Sequence, residues 1–210
     1  MSSFEPTSAC THLVFPLILV PKDCFGHAEI AFVLDSSGSL RDEDFSKVKS
    51  FVKRIASSFE LSPSLSRAGI VSYSDDAVVN FRLQDTTDLK SFHRSVDAIP
   101  HQRGRTRIDK ALQAAYRGIF QDARSYAPKV AVVLTDGEQT PAGDAVPLDV
   151  AVRPLTDMGV EVYAVGVGDK VNVNELKAIA GTNVILSKSF DELHLYARKM
   201  GDDACKSVGT

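Results

Sequence analysis

The chain contains no tryptophan and only three cysteines among 210 residues, and aromatics make up 8% of it. Three cysteines are too few for a fold stapled by disulfides, so stability has to come from an apolar core. A hydrophobic content of 44% and a charged content of 24% supply one, at a length that suits a single domain. No apolar run approaches the ~18 residues of a spanning helix, so no membrane span is expected. The net charge of −3 lacks the basic excess of a nucleic-acid binder, and no nucleic-acid partner is expected. No Asn-x-Ser/Thr sequon occurs, which removes one sign of secretion without arguing against it.

Signatures of catalysis are missing as well. There is no G-x-S-x-G elbow, no G-x-x-x-x-G-K-[ST] loop and no G-x-G-x-x-G after the first strand. Gly166-Val167-Gly168-Asp169 is a lone glycine pair that reads as a loop into the next helix. His12, His27, His93, His101 and His194 stand at no suggestive spacing from a nucleophile, and no Cys/His spacing resembles a zinc site. The expectation is a protein that is not an enzyme.

What the chain does have is strict alternation of two periodicities. Apolar runs predict strands over 29–34, 68–73, 77–83, 129–135, 160–165 and 183–186. Between them, 3.6-residue patterns predict helices over 43–59, 88–99, 108–120, 148–157, 175–180 and 190–200. The connection at 74–76 is too short for a parallel crossover, so the second and third strands form an antiparallel hairpin. Alternating strands and helices otherwise imply a mostly parallel sheet covered on both faces. The fold class is α/β, a doubly wound, Rossmann-like six-stranded sheet with one antiparallel edge strand. There is no internal repeat and no low-complexity tract.

The most informative stretch is Ala31-Phe32-Val33-Leu34-Asp35-Ser36-Ser37-Gly38-Ser39. An apolar run of the buried parallel type stops at a carboxylate, and hydroxyls follow at alternate positions. Asp35, Ser37 and Ser39 fall on the loop leaving the strand's C-terminal edge, where open α/β sheets bind ligands. One carboxylate and two hydroxyls are hard oxygen donors of low charge, suited to Mg²⁺ or Mn²⁺ rather than Zn²⁺. Taken alone, each such segment reads first as a polar turn or helix cap.

Asp35-Ser36-Ser37-Gly38-Ser39 resembles the D-x-S-x-S signature of the von Willebrand factor A domain. Gly104-Arg105-Thr106 and Val132-Val133-Leu134-Thr135-Asp136-Gly137 match further elements of that family in order and spacing. The resemblance covers roughly 27–200 and implies a metal-ion-dependent adhesion site. By that analogy Ser37, Ser39 and Thr106 bind the ion directly, while Asp35 and Asp136 act through water or hydroxyl hydrogen bonds. The open coordination position would accept an Asp or Glu of a protein partner, collagen or another matrix protein being the natural class. The chain departs from the family pattern in flanking Thr106 with Arg105 and Arg107. These cations either steer an acidic partner, weaken metal binding, or point away into solvent. Glu138 is a further rim candidate.

The domain is expected over 27–203, with an N-terminal tail or linker at 1–26 and a C-terminal tail at 204–210 carrying Cys205. The apolar run at 13–20 has signal-peptide character but lacks a preceding Lys or Arg. Cys24 and Cys205 flank the domain as in many extracellular members of the family, which implies a bridge between them. Two reduced thiols are the other reading, and Cys10 is the odd cysteine. The resemblance favours a secreted, extracellular adhesion module. An intracellular assembly subunit and a scaffold without metal are the alternatives.

Overall fold

The computed structural model describes residues 26–208, and within them the expected alternation is realised. The order is β1 (Glu29–Asp35), α1 (Asp42–Ala56), β2 (Arg67–Tyr73), β3 (Ala77–Phe81), α2 (Leu89–Ala98), α3 (Ile108–Gly118), β4 (Lys129–Thr135), α4 (Leu148–Ala151), α5 (Arg153–Asp157), β5 (Val160–Val167), α6 (Val173–Ala180), β6 (Val184–Ser187) and α7 (Leu193–Val208). The six strands form one sheet in the order β3-β2-β1-β4-β5-β6. All neighbours are parallel except β3, which pairs antiparallel with β2 at one edge.

Every residue of β1 is buried, because helices cover the sheet on both sides. Ile30, Phe32 and Leu34 point into a core shared with Phe45, Phe51, Phe92 and Leu193, so α1, α2 and α7 lie on that face. Ala31 and Val33 point the other way, towards Ile108, Leu112, Leu155 and Leu176 of α3, α5 and α6. The period-2 alternation of a strand thus feeds two cores at once.

Local chemistry explains where boundaries depart from expectation. The helix expected over 148–157 is two helices meeting at Val152. Pro154 has no N–H to donate, and its ring would clash with the carbonyl four residues back. The strand expected to reach 83 stops at Phe81, because the Asp85 carboxylate accepts the Arg82 N–H at 2.8 Å and closes a short 3₁₀ turn, Leu83–Asp85. The helix α6 starts at Val173, two residues early, since the Asn172 side chain caps its first turn. The last helix continues to Val208, past the boundary expected at 203. It approaches the turn after α1 closely at Gly201, where an added Cβ would lie 2.3 Å from Ser58 Oγ. Cys10, Cys24 and the apolar run at 13–20 lie outside the described residues. So, therefore, does the expected bridge from Cys24 to Cys205. No described helix is long and apolar enough to cross a membrane.

The N-terminal edge of the sheet is closed by charge. Glu29, the first residue of β1, is fully buried. Its carboxylate accepts both Nε and Nη2 of Arg67, the latter at 2.8 Å, and also Nε of Arg124. Arg124 donates onward to the Leu65 carbonyl, and its guanidinium lies over the Tyr126 ring. Removing one partner of a buried ion cluster leaves the others desolvated and uncompensated, at a cost of about 3–5 kcal/mol. Glu29→Ala should therefore lower unfolding stability by that order in urea titration. A loss within about 0.5 kcal/mol, the range of an ordinary surface substitution, would contradict this account.

Candidate metal centre

Between β1 and β4 the chain order of the sheet reverses, and a doubly wound sheet opens a crevice at the C-terminal ends of such a pair. β1 ends on Asp35 and β4 on Thr135, while parallel register sets Tyr73 beside Asp35 at the end of β2. Asp35 is 1% exposed. Its Oδ1 accepts the Ser37 N–H at 2.8 Å and its Oδ2 the Thr135 hydroxyl at 2.9 Å. The Tyr73 hydroxyl reaches Oδ2 at 3.3 Å, sharing its proton with the Leu134 carbonyl at 3.1 Å. The carboxylate therefore bends the outgoing chain into a tight turn and locks it to two neighbouring strands.

That turn aligns the hydroxyls. Ser39 donates to Asp136 Oδ1 at 2.7 Å, and the Ser37 and Ser39 oxygens are 3.0 Å apart. Since the single Ser39 proton is committed to Asp136, Ser37 is the donor in the second contact. The relay runs Ser37 to Ser39 to Asp136 and leaves hydroxyl lone pairs free. Thr106 is buried, with its N–H on Thr140 Oγ1 at 3.1 Å and its carbonyl accepting the Thr140 N–H at 2.9 Å. Its Oγ1 lies 3.9 Å from where a Cβ on Gly137 would stand. This hydroxyl makes no hydrogen bond among the described residues. All five expected donors are thus gathered at one sheet edge.

The segment before Thr106 seats the β1 loop. Gly38 N–H donates to the Gly104 carbonyl at 2.8 Å, Arg103 N–H to Ser36 O at 2.7 Å, and Gln102 N–H to Ser36 Oγ at 2.7 Å. A Cβ on Gly38 would press on Gly104 N and O at 3.3 Å, and Gly104 itself has φ 111°. Only glycine allows both the close approach and that conformation. His101 contacts the Ser37 carbonyl at 3.0 Å and Asp42 Oδ1 at 2.7 Å while stacked on Phe45.

Burial dominates the electrostatics. It pushes the Asp35 carboxyl up to about 6, against the Ser37 and Thr135 hydrogen bonds and with help from the nearby Asp136 charge. Asp136 is raised for the same first reason, opposed by the Ser39 hydroxyl. Burial also holds the Tyr73 phenol well above its usual range. No group of three or more His, Cys, Asp or Glu converges among the described residues. Three hydroxyls and two carboxylates are a hard-oxygen set, and a hydroxyl with free lone pairs beside them fits a small hard cation.

The rim expectations divide. Glu138 and Arg105 are exposed, with Arg105 paired to Asp75. Arg107 is a correction: it is neither a rim cation nor solvated, but 2% exposed and bound to Asp109 and Asp144. Its charge is neutralised where it sits. Tyr73, Thr135, Gln102, His101 and Thr140 were missed in the sequence. For Tyr73 and Thr135 the available signal was a polar group at the end of an apolar strand, in register with Asp35. The others sit in loops whose spacing carries no such signal.

The von Willebrand factor type A domain family matches residues 29–198. The chain is 32% identical over 180 residues to the collagen alpha-4(VI) chain of Mus musculus, covering 86% of this chain and 8% of that protein. It is 35% identical over 158 residues to matrilin-3 of Homo sapiens, covering 72% and 31%. The chain spans less than a third of the length of these two relatives. Among solved structures, proximal thread matrix protein 1 from the mussel byssus superposes with a TM-score of 0.80 at 30% identity, over 87% of this chain and 47% of that one. The same protein has also been solved with a zinc-occupied MIDAS motif, at the same TM-score and identity. The chain belongs to the von Willebrand factor type A domain family.

Proposed function

We propose that the chain is an extracellular binding module that holds Mg²⁺ or Mn²⁺ at the β1–β4 edge and uses it to capture an Asp or Glu side chain of a protein partner. The supporting observation is the Ser37–Ser39–Asp136 relay together with a Thr106 hydroxyl, close to Gly137, that makes no hydrogen bond among the described residues. In this reading Ser37, Ser39 and Thr106 supply direct donors. Asp35 and Asp136 act from behind, Asp35 by fixing the loop and Asp136 by accepting the Ser39 proton and ordering water. A bound divalent cation supplies an open coordination position for a carboxylate oxygen. Exposed Arg105 and Glu138 lie at the rim as candidate contacts for the partner. Likeness to collagen and matrilin chains, and to a thread matrix protein, supports a matrix partner such as collagen and a secreted parent protein. The domain would span 27–203, with α7 running on, and a Cys24–Cys205 bridge would tie its two ends together.

Calorimetry should give saturable Mg²⁺ binding by the parent and a loss of most of that affinity in Asp35→Ala. Saturating Mg²⁺ should also raise the melting temperature of the parent and leave the variant unchanged, because a ligand that binds only the native state stabilises it by mass action. Equal binding by both proteins would defeat the assignment.

The pH dependence follows from burial of Asp35. Its folded value of about 6 lies above the unfolded 3.8. Its contribution to metal-free stability is therefore present in full below 3.8 and is lost as pH rises through about 6, a difference of the order of 3 kcal/mol. Thermal denaturation from pH 4 to 7 without divalent ions should show the parent losing stability relative to Asp35→Asn as pH rises. Mg²⁺ affinity should move the opposite way, falling as pH drops through 6, since a nearby cation favours the ionised Asp35 carboxylate and protonation removes that charge. Parallel curves for parent and variant would remove Asp35 as the titrating group.

The bridge is tested by mass spectrometry of the native protein before and after reduction. A gain of about 2 Da with alkylation of Cys24 and Cys205 only after reduction is the expected result, two sulfurs each taking up one hydrogen. Free thiols at both positions in freshly purified protein would favour an intracellular module instead.

A further inference from the structure

We propose that Arg107 is a positioning residue that sets the site's choice of cation, by binding the Thr106 segment and the loop after Asp136 into one rigid body. The inference rests on the metal reading above and concerns a residue that does not touch the ion. The guanidinium is almost fully buried and both sides of its fork are filled. Nε and Nη2 donate to the two oxygens of Asp109 at 2.9 and 2.8 Å, and Nη1 donates to Asp144 Oδ1 at 3.0 Å. Asp109 then takes a third bond, from the Val146 N–H at 3.0 Å, and its own N–H donates to Gln139 Oε1 at 2.8 Å. The Gln139 amide closes the circuit on the Val146 carbonyl at 3.0 Å. Immediately upstream lie the two reciprocal bonds between Thr106 and Thr140.

Positions 139, 140, 144 and 146 are in this way stitched to 106, 107 and 109. Two of the five expected donors sit on these segments, Thr106 on one and Asp136 at the root of the other. Arg107 is fixed from the far side too, since its N–H donates to the Ser74 carbonyl at 3.2 Å. The fork geometry matters more than the charge: a planar guanidinium can hold a carboxylate with two bonds and a second carboxylate with a third, which an ammonium cannot do in the same arrangement. Selectivity between Mg²⁺ and Ca²⁺ depends on the rigidity and size of the donor cage, Mg²⁺ requiring near-octahedral donors at short range and Ca²⁺ tolerating a looser, longer set. A stiff link between Thr106 and Asp136 favours the smaller ion, and loosening it admits the larger one.

The test is calorimetric titration of Mg²⁺ and of Ca²⁺ into the parent, Arg107→Lys and Asp144→Ala, with folding verified by circular dichroism. Arg107→Lys should weaken Mg²⁺ by about tenfold to a hundredfold, the usual effect of losing an outer support of a metal site, and weaken Ca²⁺ clearly less. Asp144→Ala removes only the exposed arm and should move the ratio of affinities the same way by a smaller factor. It decides the matter alone if Arg107→Lys does not fold. Amide exchange of 137–147 in the metal-free protein should quicken in the variants while that of β1 and β4 stays slow. A parent that binds Mg²⁺ while the folded variants keep its Mg²⁺/Ca²⁺ ratio overturns this inference and leaves the metal reading intact. A parent that binds neither ion overturns the metal reading, and the selectivity role falls with it.

Discussion

A carboxylate buried at the end of the central strand is the constraint around which the top of this domain is arranged. Desolvating Asp35 disfavours its charged form, and the surrounding residues offset that cost with donors from three different elements. The Ser37 N–H comes from the loop, the Thr135 hydroxyl from β4 and the Tyr73 hydroxyl from β2. Each donor is fixed by the requirement to satisfy the same acid, so the loop, both neighbouring strands and the serines take their positions from one group. The compensation is incomplete, as the raised Asp35 value records. A site that carries an unrelieved electrostatic cost in its free form has a physical reason to bind a cation, because the added positive charge favours the ionised form that burial opposes.

Charge is handled differently at the two ends of the sheet. At the N-terminal edge a buried Glu29 is surrounded by two arginines, and at the C-terminal edge a buried Arg107 is surrounded by two aspartates. Neither cluster is needed to fill a core, and buried ion pairs bring little net stability over apolar packing. What they do is join segments distant in sequence: Glu29 connects β1 to 67 and 124, and Arg107 connects the start of α3 to the loop beyond β4. At Glu29 the charge adds a side-chain link to strand pairing that is already regular, whereas at Arg107 it joins loops that no strand pairing connects.

The fold was legible because it is written in apolar period. Strand runs at 29–34 and 129–135, and helical stripes such as Phe45, Val48, Phe51, Val52 and Ile55, follow burial on one side or both. The hairpin of β2 and β3 was readable from the shortness of its connection alone. The candidate donors were legible because three short motifs stood at the ends of those runs. Less readable were contacts that depend on where loops meet. Arg107 lies next to a site residue, and adjacency suggested a rim cation. Its actual direction is decided by Asp109, two positions on, and by Asp144, far downstream, whose proximity only the folded chain creates. The broken helix at Val152 was readable in principle, since Pro154 was visible, but the apolar stripe outweighed it.

The choice of hydroxyls over carboxylates connects the site's stability with its proposed use. Ser37, Ser39 and Asp136 are held by one another through hydroxyl hydrogen bonds, while the Thr106 hydroxyl makes none among the described residues. A hydroxyl can keep its proton committed, as Ser39 does towards Asp136, while offering a lone pair elsewhere. A carboxylate bound to a cation has no such division of labour and would also cancel its charge. In the proposed function the direct donors are three neutral hydroxyls and both carboxylates stand behind them, so a divalent ion would have no anionic donor in direct contact. An Asp or Glu of the proposed partner would supply one. In the proposed function, that economy of charge is what would give a bound cation its attraction for an acidic partner.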